Sequence, residues 1–216
     1  MSEYKEGLLV NSVYAKKNPG AVLKQSFCAG TRNSAMKARI MKKRKIALLF
    51  GSLSDLKSGQ CKSGFEVLRQ EVSRGTIEIV GVFIGSIHRN TEWVLCLLQE
   101  LSTLGVDVLI AGAGWANHLT GTSDAYLRYT IGDTRMVVIG VAFEDAEKPE
   151  RSQAAVWSIV HVPGTQVVFD AYCGAEGAER ACRFAATGTL PTIKRPEPRK
   201  CERFTFEDAL PLAVAV

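Results

Sequence analysis

Short apolar runs alternate with amphipathic stretches along the middle of the chain. Runs in which almost every residue is apolar are typical of strands buried on both faces of a parallel sheet. They predict strands over 45–50, 76–84, 106–111, 136–141 and 166–169. Between them, apolar residues recur every three or four positions, which predicts helices over 62–74, from 91 onwards, 122–129 and 173–187. This alternation predicts right-handed βαβ units and one parallel sheet with helices on both faces.

The first 44 residues have no such pattern, and their composition predicts a flexible basic extension. They contain no acidic residue after Glu6 and end in a basic run at Lys37, Arg39 and 42–44. An arm that binds nucleic acid or a membrane surface is a weaker alternative, because no aromatic residues are interleaved with the basic run. A transit peptide is a further alternative, and Met36 or Met41 is a candidate start in the cell.

The last third of the chain is less regular. A charged loop at 143–151 precedes a short helix or turn at 152–160. Three prolines within 191–200 predict an extended arm, and 203–216 are partly apolar. We predict one domain over 45–188, followed by an arm over 189–216 that docks on a neighbouring subunit, with disorder of the arm as the alternative.

Composition is that of an ordinary globular protein, with 46% hydrophobic and 23% charged residues. No apolar run reaches 18 residues, so no membrane span is predicted, and no secretory signal is recognisable near Met1. The six cysteines form no C-x-x-C pair, which argues against zinc and a disulfide framework and favours a reducing, cytoplasmic setting. The net charge of +5 comes largely from the N-terminal extension.

Each of the first three predicted strands runs into a corner rich in small and polar residues. The corners begin at Gly51, at Gly85 and at Gly112, the last continuing through Ala113 and Gly114. Carboxyl ends of parallel strands meet at one edge of the sheet, where ligands bind in such folds. Glycine allows close approach of the backbone, and free N–H groups at a helix start favour an anion. Any one corner alone could equally be a tight turn without a ligand.

The first corner offers Ser52, Ser54 and Asp55. Serine hydroxyls suit a phosphate and the aspartate suits ribose hydroxyls, although helix capping by Ser54 or Asp55 is the simpler alternative. The corner lacks the G-K-[S/T] ending of a P-loop and the G-x-G-x-x-G dinucleotide fingerprint.

The second and third corners add groups that can bind anions and move protons. Arg89 is a natural partner for phosphate, and the imidazole of His88 can take or give a proton. His118 follows the third corner, so two of the three histidines fall at strand ends. A lone histidine is usually structural, but two histidines beside serines and an arginine predict a site.

Four blocks follow one another along the chain: G-S-L-S-D at 51–55, S-I-H-R at 86–89, A-G-A-G at 111–114 with His118 and Leu119, and S-I-V-H-V-P-G at 158–164. In this order they resemble the PurE family, the carboxyaminoimidazole ribonucleotide mutases and aminoimidazole ribonucleotide carboxylases of purine synthesis. The resemblance covers about 45–188. It implies a single-domain, three-layer α/β/α sandwich of the flavodoxin-like or Rossmann-like type.

The resemblance also implies roles for the corner residues. The ribose phosphate would be held by Ser52, Asp55, Ser86 and Arg89, and protons would be moved by His88, with His118 as the second catalytic candidate. The remaining candidate substrate-binding residues are Ser54, Ala113, Gly114, Trp115, Asn117 and Leu119. The implied partners are a ribonucleotide, carbon dioxide or bicarbonate, and other copies of the chain in an octamer. No metal or organic cofactor is implied, nor binding to a membrane or nucleic acid.

The third corner mixes the two branches of this family. The mutases carry S-A-H-R and G-A-G-G-A-A-H-L-P-G, whereas the direct carboxylases carry S-A-H-K and A-G-x-S-N-x-L. Arg89 and His118 match the mutases, and Asn117 matches the carboxylases. Trp115 matches neither, since a mutase has glycine there, and Thr120 replaces a proline. A bulky indole at this point would narrow the pocket or stack on a different ring.

The leading hypothesis is carboxyl transfer on aminoimidazole ribonucleotide by a mutase. Direct carboxylation with carbon dioxide is the first alternative. A diverged carboxylase or decarboxylase of another ribonucleotide and a ribonucleotide-binding protein are the others. Pure binding would not need the imidazole of His88, which favours an enzyme.

Overall fold

The computed structural model describes residues 42–214. The predictions for 1–41 lie outside the described residues. Among those described, no helix is both long and apolar enough to cross a membrane.

Four parallel strands form the sheet, in the order β2-β1-β3-β4. The first four predicted strands are confirmed, with shifts of one or two residues at their ends: β1 (Arg44–Phe50), β2 (Ile77–Ile84), β3 (Val108–Ala113) and β4 (Val137–Ala142). Every residue of β3 and β4 is buried, which explains their continuous apolar runs. The strand order is that of the flavodoxin-like doubly wound sheet.

The predicted fifth strand over 166–169 is wrong as a regular strand, although the segment lies beside β4. Only two isolated parallel bridges connect it, between Ile139 and Val168 and between Ala142 and Cys173. Ala171 between them has φ of 46°, a left-handed conformation that no strand continues through. The backbone of this segment therefore pairs with β4 in two short pieces.

Seven α-helices and one π-helical segment surround the sheet within residues 42–214. Their bounds are α1 (Leu53–Lys57), α2 (Lys62–Ser73), α3 (Thr91–Thr103), α4 (His118–Ala125), the π-helical segment (Tyr126–Ile131), α5 (Pro149–Val160), α6 (Gly174–Thr187) and α7 (Phe206–Val214). The helix predicted over 122–129 begins earlier, because Asn117 caps it. The segment 152–160 is a helix that begins at Pro149, a residue well suited to a first turn.

Alternate residues of β1 point to opposite faces of the sheet and build two cores. Ile46 and Leu48 pack in one core with α2 and α6, whereas Ala47 and Leu49 pack in the other with α3 and α4. On the first face, a Cβ added to Gly64 would lie 2.7 Å from Cys182 Sγ, so α2 and α6 are in close contact. The predicted three-layer α/β/α sandwich is thereby confirmed.

The C-terminal arm begins on the chain's own core. Leu190 and Ile193 pack against the α2–α6 side, and Gln166 exchanges two hydrogen bonds with the backbone of Lys194. Beyond it, α7 carries exposed apolar side chains, including Phe206 and Leu212. Docking of this arm on a neighbouring subunit stays a prediction, as do the predicted domain boundaries.

A buried ion pair holds the end of α4 to the sheet. Arg128 and Asp124 are fully buried, with Arg128 Nε 3.0 Å from Asp124 Oδ1. Arg128 also donates to the carbonyls of Asp133 and Met136, and Asp124 Oδ2 accepts from the backbone N–H of Gln166 at 2.8 Å. The pair thus connects the π-helical segment, the start of β4 and the segment beside β4.

We predict that Asp124→Asn lowers the free energy of unfolding by about 3–5 kcal/mol, because Arg128 is left buried without its counter-charge. Glu179→Gln is the matched control, since Glu179 and Arg183 form an exposed pair at the same i, i+4 spacing. Its cost should stay below about 0.5 kcal/mol. Urea unfolding of both variants checks this; equal losses would contradict the role given to the buried pair.

Candidate functional site

The three corners meet at the carboxyl end of the sheet and surround a cavity of about 510 Å³. Backbone hydrogen bonds continue from the strands into the corners, from Gly51 N–H to Gly112 C=O at 3.0 Å and from Gly85 N–H to Phe50 C=O at 2.9 Å. The cavity is lined by Gly51, Ser52, Ser54, Asp55, Ser86, Ile87, His88, Arg89, Ala113, Gly114, Trp115, Ala116 and Leu119. Ten of the twelve predicted site residues are therefore brought together, and Asn117 and His118 are not in the lining.

At the first corner, polar side chains are organised by one another. Ser52 caps α1, and its hydroxyl lies 2.7 Å from both Ser54 Oγ and Asp55 Oδ2. Asp55 Oδ1 accepts from the backbone N–H of Gly114 at 3.2 Å, which joins the first corner to the third. Helix capping is thus real, but Ser52 provides it, and the same residues also line the cavity.

The glycine at this corner is required by close approach. A Cβ added to Gly51 would lie 3.0 Å from Ala113 Cβ and 3.3 Å from Asp55 Oδ2. Neither neighbour can move freely, because one is on β3 and the other holds the Gly114 N–H. Gly51 therefore lets the two corners share one cavity.

The second corner is a tight turn in which Ser86 C=O accepts from the N–H groups of Arg89 and Asn90. The turn leaves His88 and Arg89 exposed at the cavity. No carboxylate pairs with Arg89 among residues 42–214, so its guanidinium is available to an anionic ligand. The rings of His88 and His118 meet edge to face, with their centroids 5.1 Å apart.

At the third corner, Trp115 lines the cavity in an unusual backbone conformation. Its φ is 57°, a region that bulky residues rarely adopt. Arg151 lies over the indole, with Cζ 3.9 Å from the ring centroid. Sequence patterns did not predict a role for Arg151, because it precedes the helix predicted from 152 and no local pattern connects it to Trp115.

Asn117 is fully buried and has no free face toward the cavity. Its Oδ1 caps α4 by accepting from Thr120 N–H at 3.2 Å, and its Nδ2 donates to Val141 C=O on β4 at 2.9 Å. The predicted direct contact with substrate does not fit this geometry, since every polar atom of the side chain is already engaged. Asn117 instead positions the turn that carries Trp115 and the helix that begins with His118.

A buried cysteine lies behind the first corner and takes no part in this chemistry. Burial, with a smaller contribution from the Asp55 carboxylate, raises the pKa of Cys61 to about 12. Its thiol stays protonated at neutral pH and is not a nucleophile. The site therefore combines one arginine, serine hydroxyls and paired histidines, a set suited to holding a phosphate and moving protons.

The fold is a doubly wound α/β domain, a class in which ligands bind at the carboxyl ends of the strands, where this cavity lies. A family model described as AIR carboxylase matches residues 45–194. The chain therefore belongs to the AIR carboxylase family, which confirms the resemblance to the PurE enzymes. It is an enzyme of a family that transfers carboxyl groups in purine biosynthesis.

Solved structures give a partial likeness. PurE of Treponema denticola is 18% identical over 67% of this chain and 87% of its own, with a TM-score of 0.47. A PurE2 variant from Treponema denticola is 19% identical over 65% of this chain and 76% of its own, also with a TM-score of 0.47. A search of curated proteins found no match.

We predict that Asn117→Ala lowers the free energy of unfolding by about 2–3 kcal/mol, because it removes a cap and leaves the Val141 carbonyl without its buried donor. Asn90→Ala is the matched control, since Asn90 stands at the start of α3 but makes no capping bond with its side chain. It should cost less than about 0.5 kcal/mol. Denaturant unfolding measures both, and a loss in Asn117→Ala no larger than in the control would contradict the positioning role.

Proposed function

We propose that the protein is a carboxyaminoimidazole ribonucleotide mutase, which moves a carboxyl group from the exocyclic amine of the ribonucleotide to C4 of its imidazole. The observation that carries the proposal is the convergence on one cavity of His88, Arg89 and the serines of the first corner. Arg89 and His118 also match the mutase branch of the family.

The phosphate would be held by the first two corners. Arg89 supplies a guanidinium that pairs with no carboxylate in the described part of the chain, and Ser52, Ser54 and Ser86 supply hydroxyls to the same cavity. Asp55 already accepts from Ser52 and from the Gly114 N–H, so it orients the corner as well as offering an acceptor to ribose hydroxyls. With the phosphate held there, the base would lie toward the third corner, between His88 and Trp115.

The reaction balances without an external reactant. The N–C bond of the carbamate breaks and releases carbon dioxide, while the amine regains a proton. C4 of the electron-rich ring then attacks the same carbon dioxide, and the proton on C4 leaves. His88 would deliver the first proton and take up the second, so the enzyme is unchanged after one turnover.

Two further features support this chemistry. The ring of His118 lies against the His88 ring, which limits the orientations that the His88 imidazole can adopt. Closure of the cavity around the ribonucleotide would keep carbon dioxide beside C4 until the new bond forms. Because the aminoimidazole ring is itself electron-rich, the proposed step calls for no metal or organic cofactor.

Direct carboxylation is the second candidate, because the same cavity would serve aminoimidazole ribonucleotide and free carbon dioxide. The two are separated by giving purified protein either the carbamate ribonucleotide alone or aminoimidazole ribonucleotide with bicarbonate, and following absorbance of the C4-carboxylated product. Turnover of the carbamate alone supports the mutase. Turnover that depends on carbon dioxide supports the carboxylase, and binding without turnover supports a binding protein or another substrate.

We predict that His88→Asn lowers kcat by at least about 100-fold while the ribonucleotide still binds, because asparagine keeps polarity but cannot transfer a proton at neutral pH. His161→Asn is the matched control, since His161 follows α5 and does not line the cavity. It should leave kcat within about twofold. Full activity in His88→Asn would remove His88 from the mechanism.

A further inference from the structure

Arg151 covers the Trp115 indole, and the same indole lines the cavity. The guanidinium carbon lies 3.9 Å from the ring centroid, a close cation–π contact. The Arg151 side chain is 30% exposed, so the contact is partly desolvated. Arg151 itself does not line the cavity, which separates it from the residues that would touch substrate.

Arg151 is held in place by the Asp145 carboxylate. Asp145 Oδ2 lies 3.0 Å from Arg151 Nη1, while Oδ1 accepts from the backbone N–H groups of Glu147 and Lys148. The hydrogen bond from Arg151, followed by those from the backbone, holds the pKa of Asp145 below its usual value. The carboxylate thus fixes both the start of α5 and the direction of the guanidinium.

The loop that carries Asp145 is hydrogen-bonded to the sheet and to the turn between α1 and α2. Phe143 N–H donates to Ala113 C=O at 3.1 Å. Gln60 exchanges two hydrogen bonds with the backbone of Glu144, at 3.0 and 2.9 Å. Hydrogen bonds therefore connect Gln60, through the loop, to Arg151, which contacts Trp115.

The backbone of Trp115 needs such support. A left-handed conformation costs a non-glycine residue about 1–2 kcal/mol, and the indole is 61% exposed, so burial offsets little of this cost. A glycine at this position would carry no such cost. Trp115 therefore lines the cavity with a backbone conformation that non-glycine residues disfavour. The cation–π contact with Arg151 favours this position of the indole.

Resting on the proposed function, we propose that Arg151 is a positioning residue that fixes the Trp115 indole as a wall on which the flat heterocycle of the ribonucleotide stacks. Trp115 then contributes to substrate affinity and selects planar bases. Arg151 contributes only through Trp115. The residues proposed to hold the phosphate and to transfer protons keep their roles under this proposal.

A double-mutant cycle tests the proposal. Arg151→Met keeps an apolar stem but removes the charge, and it should raise KM for the carbamate ribonucleotide about fivefold with kcat within about threefold. Trp115→Gly should raise KM about tenfold. In the Trp115→Gly protein, Arg151→Met should raise KM by less than about a further twofold, because the ring that Arg151 contacts is gone.

Two single variants sharpen the cycle. Asp145→Asn leaves an oxygen for the backbone N–H groups but turns an amide toward Arg151, so its KM should rise as in Arg151→Met. Arg180→Met is the matched control, because Arg180 also pairs with a carboxylate, Asp170, and lies over an aromatic ring, Tyr172, yet does not line the cavity. KM of Arg180→Met should stay unchanged. Arg151→Lys keeps the positive charge, so its affinity for the ribonucleotide should recover most of what Arg151→Met loses.

Fluorescence provides a measurement that needs no turnover. The chain has three tryptophans, and Trp93 and Trp157 are exposed enough to be replaced by phenylalanine. Trp115 is then the only tryptophan, and excitation beyond the tyrosine absorption band selects its emission. In this protein, Arg151→Met should enlarge the fast local component of the anisotropy decay. Aminoimidazole ribonucleotide should quench the emission when Arg151 is present and do so at higher concentration when it is not.

The outcomes separate the two proposals. Absent turnover in the wild type, with the mobility difference intact, would defeat the proposed function and keep the positioning role of Arg151. Normal turnover with KM unchanged in Arg151→Met would overturn the positioning role, as would equal indole mobility with and without the guanidinium. An undiminished effect of Arg151→Met in the Trp115→Gly protein would also overturn it, because Arg151 would then act on substrate without Trp115.

Discussion

Two backbone hydrogen bonds extend the ladder of the parallel sheet beyond its strands, from Gly51 to Gly112 and from Gly85 to Phe50. Neighbouring strands lie about 4.8 Å apart, so side chains that follow these bonds are held within reach of one ligand. The requirement for glycine at position 51 follows from the same spacing, because the first and third corners meet there without room for a Cβ. The candidate site residues, which come from distant parts of the chain, depend on this register to line one cavity.

The third corner shows how departures from the family pattern can compensate one another. Proline has no backbone N–H, so the mutase residue at position 120 could not donate to an asparagine at position 117. Here Thr120 supplies that N–H at 3.2 Å, and its hydroxyl lies 2.9 Å from the same Asn117 oxygen. The asparagine shared with the carboxylase branch is thus part of a buried cap and is not evidence for either reaction. Among these departures from the family pattern, Trp115 is the one whose side chain lines the cavity.

Local patterns predicted most of the fold, for a physical reason. A strand buried on both faces must be apolar along its length, and a helix packed on a sheet must carry apolar residues every three or four positions. Both element types can therefore be predicted from residues close together in the sequence. The segment 166–169 was wrongly predicted as a regular strand because Ala171, just after it, has a left-handed backbone conformation that residue type does not indicate. The helix after Asn117 was placed too late because its start depends on a cap with a buried partner on β4.

By itself, the sequence determined the alternation of strands and helices, the chemistry available at each strand end and the family to which the chain belongs. These features depend on the type and order of the residues, so they can be inferred from short stretches of the sequence. The tertiary structure alone decided that Asn117 faces inward and that Arg151 lies on Trp115. Both contacts join residues more than twenty positions apart, and they depend on how the third corner packs against β4 and the start of α5. No local pattern encodes that packing.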